Sequence, residues 1–340
     1  MRARAASRRR PTAPRPSGIV TLLTDFGLED PYAGIVKAVI LGINPAARLV
    51  DLTHAIPPQD VRRGALALDA AYRFFPRGTV HLAVVDPGVG GPRRPLAVFA
   101  DGHYFVGPDN GLFGFVLGAP GTVAVALANP RYHRASGRAV SRTFHARDIF
   151  APAAAHCSLG VPLERFGPTV GQLVRLEWPR ARRLGSRVVG QILLADRFGN
   201  LLTNLAQADL PAPPSACVLE AGGRRIDGIV GTYADRPVGG LGAVVDSSGR
   251  VEIFVREGSA RDRLGIVPGA AVSLWSTSSR RRTTACSSST GRSSSTGRSS
   301  STRRRPTPSS SRPVRPPSSR PPSPSSGTSR GSRSRTTRPP

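Results

Sequence analysis

The sequence predicts an α/β domain with a largely parallel sheet, followed by a smaller, mostly β domain. Three observations carry that prediction. Short apolar runs alternate with helix-period segments up to about residue 172. Beyond that point strand-like runs follow one another, separated by glycine- and serine-marked turns. The two ends of the chain are too polar to bury a core, so both are expected to be disordered.

The apolar run 19–23 is a strand that ends in Thr24-Asp25-Phe26-Gly27. A helical pattern follows over 32–41 and stops at Asn44-Pro45. Residues 48–52 read as a short strand. Residues 60–75 place apolar side chains at helical spacing and end at Pro76-Arg77-Gly78. A second buried strand covers 80–85, and 96–100 with 104–106 form a hairpin around Asp101-Gly102. Residues 123–126 are a strand and 148–159 a helix. In the second half, 188–196, 201–204, 216–221, 224–229, 241–246 and 251–255 read as strands, and 259–264 as a short helix. The expected organisation is a basic tail over 1–17, an N-terminal domain over 18–172, a linker over 173–187 where Arg and Pro cluster, a C-terminal domain over 188–275, and a Ser/Arg/Pro-rich tail over 276–340.

The net charge of +27 belongs to the ends. Residues 1–17 carry six Arg and no acid, and 280–340 carry 15 Arg and no acid, which leaves +6 for the middle. An Arg/Ser tail with a Ser-Ser-Ser-Thr-Gly-Arg repeat over 287–298 reads either as an RNA-binding segment or as a non-functional extension; the second reading is favoured, so nucleic acid is not an expected partner. The three cysteines, Cys157, Cys217 and Cys286, form no Cys-x-x-Cys pair, which argues against a disulfide framework or a structural zinc site. No apolar run approaches the ~20 residues that span a bilayer, so no membrane partner is expected. The Arg-rich, acid-poor start also fits a transit peptide, but a cytoplasmic protein is the expectation.

Two runs concentrate polar chemistry. One is Asp86-Pro87-Gly88-Val89-Gly90-Gly91-Pro92-Arg93-Arg94; the other is 143–152, which contains His145. An ion pair between Asp86 and Arg93 explains the first run structurally. Together with His145 the same groups are able to activate a water without a metal. Gly88-Val89-Gly90-Gly91 fails as a dinucleotide fingerprint, because Arg93 takes the last glycine position. None of the six histidines has metal-ligand spacing. The Asp-Phe-Gly at 25–27 lacks every other kinase element. Asp25 stands at the C-terminal end of the first strand, where open α/β sheets bind ligands; it is either a ribose-binding acid or a helix N-cap. Asp196-Arg197-Phe198-Gly199-Asn200 reads as a hairpin turn, or as a base-binding wall made of the Phe198 face and the Asn200 amide. Ser247-Ser248-Gly249 with Glu252 reads as a turn or as a pocket wall.

In this order the runs resemble the adenosine-forming S-adenosylmethionine (SAM) hydrolases, also called SAM hydroxide adenosyltransferases. Their superfamily includes the fluorinating and chlorinating enzymes. The resemblance spans 18–275. It rests on Thr24-Asp25-Phe26-Gly27 with Asp30 and Tyr32, on the Asp86–Arg94 turn, on Pro108-Asp109-Asn110-Gly111-Leu112, on 143–152, on 196–204, and on Ser247-Ser248-Gly249 with Glu252.

The resemblance implies a barrel-like C-terminal domain and a homotrimer whose active sites lie between the N-terminal domain of one subunit and the C-terminal domain of the next. It implies that Asp86, Arg93 and His145 are the water-activating triad and that Asp25 holds the ribose hydroxyls. Phe198, Asn200, Tyr233 and the backbone near Val255 would contact adenine. Asp30, Asp196, Ser247 and Glu252 would line the rest of the pocket, including the methionine end. No metal or cofactor is implied, since SAM is itself the small-molecule substrate.

The expected reaction is attack of activated water at C5′, with methionine leaving as a neutral thioether. Arg93 would stabilise the developing hydroxide, and either His145 or Asp86 would accept or relay the proton. His145 stands where the fluorinating branch has tyrosine, which favours water over halide. Ala146 stands where the hydrolases usually have glycine and the fluorinating branch serine, and its methyl group bears on rate more than on reaction type. The alternatives are a halide-using adenosyl transferase, an RNA-binding protein acting through its tails, and a catalytically idle adenosine-binding module.

Overall fold

The computed structural model describes residues 15–134 and 139–277. The expected tail beyond 277, with its repeat and Cys286, and the basic residues before 15 lie outside the described residues.

The first sheet has six strands: β1 (Ile19–Thr24), β2 (Arg48–Thr53), β3 (Val80–Val84), β4 (Pro95–Ala100), β5 (His103–Pro108) and β6 (Val123–Ala126), in the order β2-β1-β3-β5-β4-β6. The pairs β1–β2, β1–β3 and β3–β5 are parallel, whereas β4 runs antiparallel to both β5 and β6. Side chains alternate across this sheet. Val20, Leu22, Val80 and Leu82 face a core shared with α1 (Tyr32–Ile43) and α3 (Ala151–Ser158). Leu23, Ala83 and Val85 face the other core, shared with α2 (Val61–Ala71). Helices cover both faces, so the central strands are continuous apolar runs rather than alternating ones. At the β4–β5 turn Asp101 and Gly102 have φ of 49° and 81°, the left-handed pair that a tight hairpin requires.

Several expected elements differ in detail. The helix expected over 60–75 is α2, capped by the Asp60 carboxylate accepting from Arg63 N at 2.9 Å, and it tightens into a 3-10 turn over Tyr72–Phe74 before Pro76. The helix expected from 148 begins earlier, as a π-turn over Ala146–Phe150 directly after His145. Within the stretch expected as a linker, Leu173, Leu176 and Trp178 pack onto the α2-side core, as does Val170 just before it, so this part of the chain forms a strap. Four apolar side chains three or two residues apart find that core despite the Arg and Pro around them.

The strap leads into a nine-stranded, nearly closed, barrel-like sheet. Its strands are β7 (Arg182–Leu184), β8 (Arg187–Ala195), β9 (Leu201–Ala206), β10 (Cys217–Ala221), β11 (Arg224–Asp227), β12 (Ile229–Val230), β13 (Leu241–Val245), β14 (Arg250–Val255) and β15 (Ala271–Ser276). The order is β11-β10-β15-β8-β9-β14-β13-β12, with β7 paired to β8. The strand expected over 224–229 is broken at Gly228, φ +73°, so that β11 pairs with β10 and β12 pairs with β13 at the other end of the order. A single left-handed residue thus carries the chain from one end of that order to the other. The inner face is filled by Val188, Ile192, Leu219, Ile253 and Leu274. β15 is a strand beyond those expected; Val272 and Leu274 are buried on either side of Ser273, and the alternation ends at the buried Trp275. α4 (Ala260–Leu264) is capped by the Ser259 hydroxyl.

Candidate active site

Asp86 follows β3, Arg93 closes the glycine turn after it, and His145 arrives on the segment before the π-turn. Gly90 has φ +75°, and a side chain there would overlap the Arg142 carbonyl, so the turn lies directly against the chain that delivers His145. Arg93 joins the other two residues. Its Nε donates to Asp86 Oδ1 at 2.9 Å, its Nη2 donates to Asp86 Oδ2, and Nη2 also donates to His145 Nδ1 at 2.9 Å. The Arg93 and Asp86 side chains are 9% and 6% exposed, so the pair is shielded from solvent. The guanidinium lies over the Phe150 ring at 5.4 Å. Arg93 Nη1 is buried and has no hydrogen-bond partner among the described residues.

The ion pair that explained Asp86 and Arg93 structurally is therefore present, and it extends to a histidine. A guanidinium only donates, so His145 Nδ1 must accept. The neutral ring then carries its proton on Nε2. Burial first, and then the Arg93 charge, hold the His145 pKa below the ordinary imidazole value.

Asp25, Asp86, His145, Gln59, Phe144 and Ala146 line one cleft of about 230 Å³. Asp25 is held from the far side, where its Oδ2 accepts from Gln59 N at 2.8 Å. It does not cap α1, whose N-cap is Pro31. The loop behind it is tied by Phe26 N donating to Thr24 Oγ1 at 3.2 Å and Gly27 N donating to the His54 carbonyl at 2.8 Å. Phe26, Tyr32 and Phe144 meet edge to face, with centroids 5.3 to 6.3 Å apart. Gln59 and Phe144 were not singled out from the sequence; a Pro-Pro pair before Gln59 and an aromatic beside His145 were the available signals. A larger cavity of about 450 Å³ lies by Leu117, Gln172 and Arg175. It brings no acid–base pair together, so the chemistry belongs to the smaller cleft.

All residues lining that cleft come from the α/β layer. Asp30 is exposed and is not among them. The other expected residues gather on the C-terminal sheet. Asp196 and Asn200 hold each other across the β8–β9 turn: Asn200 N donates to Asp196 Oδ1 at 2.9 Å and Asn200 Nδ2 to Asp196 Oδ2 at 3.1 Å. Phe198 projects from this turn, 78% exposed. Tyr233 donates to Glu252 Oε1 at 2.7 Å and meets the Phe254 ring edge-on at 4.9 Å. Burial, helped by Asp196 and Asp246, raises the Glu252 pKa, while burial and the bond to Glu252 push the Tyr233 phenol up to about 12. Ser247 is exposed in the β13–β14 turn, and the Val255 carbonyl accepts from Gly258 N at 3.1 Å.

Among the described residues no group of His, Cys, Asp or Glu is arranged to hold a metal ion, and no helix is long and apolar enough to cross a membrane.

Residues 20–167 match the family model described as the SAM hydroxide adenosyltransferase N-terminal domain, and residues 190–273 match that of its C-terminal domain. The chain is 45% identical over 263 residues to an (R)-S-adenosyl-L-methionine hydrolase of Thermus thermophilus, covering 75% of this chain and 98% of that one. It is 28% identical over 220 residues to a fluorinase of an Actinoplanes species, covering 56% of this chain and 73% of that one. A solved structure of an uncharacterized conserved protein from Thermotoga maritima is similar with a TM-score of 0.70 and 33% identity, covering 75% of this chain and 99% of that one.

Proposed function

The chain belongs to the SAM hydroxide adenosyltransferase family, and from that premise we propose that it hydrolyses S-adenosyl-L-methionine to adenosine and L-methionine. Water adds at C5′, the C5′–sulfur bond breaks, methionine leaves with the electron pair, and one proton is released. The observation that carries this reading is Arg93 bridging Asp86 and His145 beside a cleft that also holds Asp25.

A sulfonium leaves as a neutral thioether, so the reaction needs neither a general acid nor a Lewis acid, and we propose that it proceeds without metal or cofactor. The demand falls on the nucleophile, because bulk water has a pKa of ~15.7. Arg93, which holds both Asp86 and His145 at the cleft, is suited to stabilise the oxygen with its positive charge as it becomes negative. His145, with its proton on Nε2, donates to that oxygen rather than accepting from it. Asp86 is then the member of the trio with lone pairs to spare, and it takes the proton as the C5′–O bond forms. Burial favours the step, since attack of an anion on a cation destroys charge.

The remaining roles belong to the same proposal. Asp25 holds the ribose hydroxyls. Phe198, Asn200, Tyr233 and the backbone at Val255 hold adenine, and Asp30, Asp196, Ser247 and Glu252 line the rest of the pocket. None of the C-terminal residues lines the cleft, which supports a homotrimer in which each site combines the cleft of one subunit with the sheet of its neighbour. A cytoplasmic location completes the reading.

The decisive experiment incubates the purified protein with SAM in labelled water. The expected product is adenosine carrying the label at O5′. Folded protein that forms no adenosine, or adenosine without label, overturns the reading.

A further inference from the structure

The run Pro108-Asp109-Asn110-Gly111-Leu112 takes no part in the chemistry above, yet it reaches both ends of the turn that carries Asp86 and Arg93. At the near end, Asn110 Nδ2 donates to the Val85 carbonyl at 2.8 Å, one residue before Asp86. At the far end, Asp109 N donates to the Arg94 carbonyl at 2.9 Å, one residue after Arg93. The Asp109 Oδ2 also accepts from Arg94 Nε at 2.8 Å and from Arg94 Nη2. The tandem arginines therefore divide their work: Arg93 binds Asp86 and His145, while Arg94 binds Asp109. The Asp109 carboxylate is buried, 4% exposed, while the Arg94 side chain reaches it from a partly exposed position, and the contact is charge-assisted.

The same run is anchored on its other side. Asp109 Oδ1 accepts from Val174 N at 2.9 Å, and Arg94 Nη2 donates to the Gln172 carbonyl, so both residues grip the strap. Asn110 Oδ1 accepts from Leu112 N at 3.2 Å. Gly111 has φ +95°, and a Cβ there would stand 2.6 Å from Leu176 Cγ; only glycine lets the strap lie this close.

We propose that Asp109 and Asn110 are positioning residues for the hydrolytic centre, clamping the 85–94 turn at both ends and thereby setting the place of Arg93 relative to Asp86 and the cleft. The inference rests on the reading that Asp86, Arg93 and His145 act on water. The physical need is clear from the turn itself. Gly88, Gly90 and Gly91 make it permissive; Val89 N donating to the Asp86 carbonyl at 3.2 Å and Gly91 N to the Gly88 carbonyl at 3.0 Å hold its middle, and its two ends are fixed from outside. A displacement of ~1 Å at a reacting group costs on the order of 10²-fold in rate.

Two near-isosteric variants test the clamp. Asn110→Asp keeps the acceptor for Leu112 N but sets an anion against the Val85 carbonyl. Asp109→Asn keeps an acceptor for Val174 N but removes the charge facing Arg94. Each is measured for kcat and KM with SAM, and for adenosine affinity by calorimetry. The expected result is a kcat lowered roughly 10- to 100-fold, with KM and the adenosine Kd changed by less than about threefold. Either variant suffices should the other not fold. Arg175→Ala, on the strap but bonded to the Leu117 carbonyl, is expected to keep full rate. An unchanged kcat overturns the clamp, and so does a fall in kcat matched by an equal loss of adenosine affinity, which marks general loosening. Arg93→Ala separates the two levels. If it retains wild-type rate, the reading of the centre fails; if it is inactive while both clamp variants are fully active, only the clamp fails.

Discussion

The α/β layer and the C-terminal sheet each gather polar residues, but they hold them in opposite ways. In the α/β layer Asp86, Arg93 and His145 come from two separate segments and are cross-linked through one guanidinium, with the Asp86–Arg93 pair shielded from solvent. On the C-terminal sheet the partners are close in sequence or on neighbouring strands, as with Asp196 and Asn200, and a large apolar side chain, Phe198, is exposed. The first arrangement spends folding energy to hold charges rigidly, which is what stabilising a transition state demands. The second leaves a face uncovered, which suits a surface completed by a ligand or a neighbouring chain. The proposed function accordingly puts chemistry in the first region and recognition in the second.

Substitutions in the two regions should separate along that line. Arg93→Ala and His145→Ala are expected to lower kcat by at least ~10²–10³-fold while adenosine still binds. Rates near wild type would break the contrast at its strongest point. Phe198→Ala is expected to raise KM for SAM about tenfold, as loss of a base-stacking face does, with kcat little changed. A fall in kcat at constant KM would move Phe198 into the chemistry.

The acid side of the pH profile is a smaller, sharper test. Protonation makes His145 Nδ1 a donor facing the Arg93 donor, and its pKa lies below the ordinary value because of burial and the Arg93 charge. The kcat plateau should therefore extend below pH ~6.5 and decline only beneath it. A decline already complete at pH ~6.5 removes the neutral, Nε2-protonated ring from the mechanism. Acid loss of fold must be told apart from this, and His81 supplies the control. It is fully buried, bonded to Thr21 Oγ1 at 2.8 Å and to His103 at 3.3 Å, and burial lowers its pKa to about 3. A folded-state pKa below the unfolded value of ~6.5 gives stability that is complete above that pH and lost as pH falls towards the folded value. His81→Gln is expected to shift the acid-unfolding midpoint to lower pH, followed by circular dichroism, with activity at neutral pH little altered. An unchanged midpoint would show that His81 does not govern acid unfolding.

Much of the fold is legible in the sequence, because the central strands are continuous apolar runs and α2 announces itself with Asp60. The strap was not, since its four apolar residues sit among Arg and Pro, and only a preformed core reveals what they cover. The break at Gly228 was equally hidden: a glycine within a strand-like run looks the same whether it bends the strand or divides it between two neighbours. At the site, Asp86, Arg93 and His145 were legible as residues in motifs, but the Asn110–Val85 and Asp109–Arg94 contacts that brace them were not, because they join a strand end to a turn 15 or more residues away.

By itself the chain determined which side chains are candidates for the proposed chemistry: an acid and an arginine on a glycine turn, a histidine before a buried helix, and an aromatic on a hairpin. It also determined that the charge of +27 belongs to the ends rather than to this site. Tertiary structure alone decided that Arg93 turns towards Asp86 and His145 while Arg94 turns away to Asp109. The reason is physical. Two adjacent arginines have the same local propensities, and only the placement of their carboxylate partners, brought together by the sheet, gives each one a different lowest-energy direction.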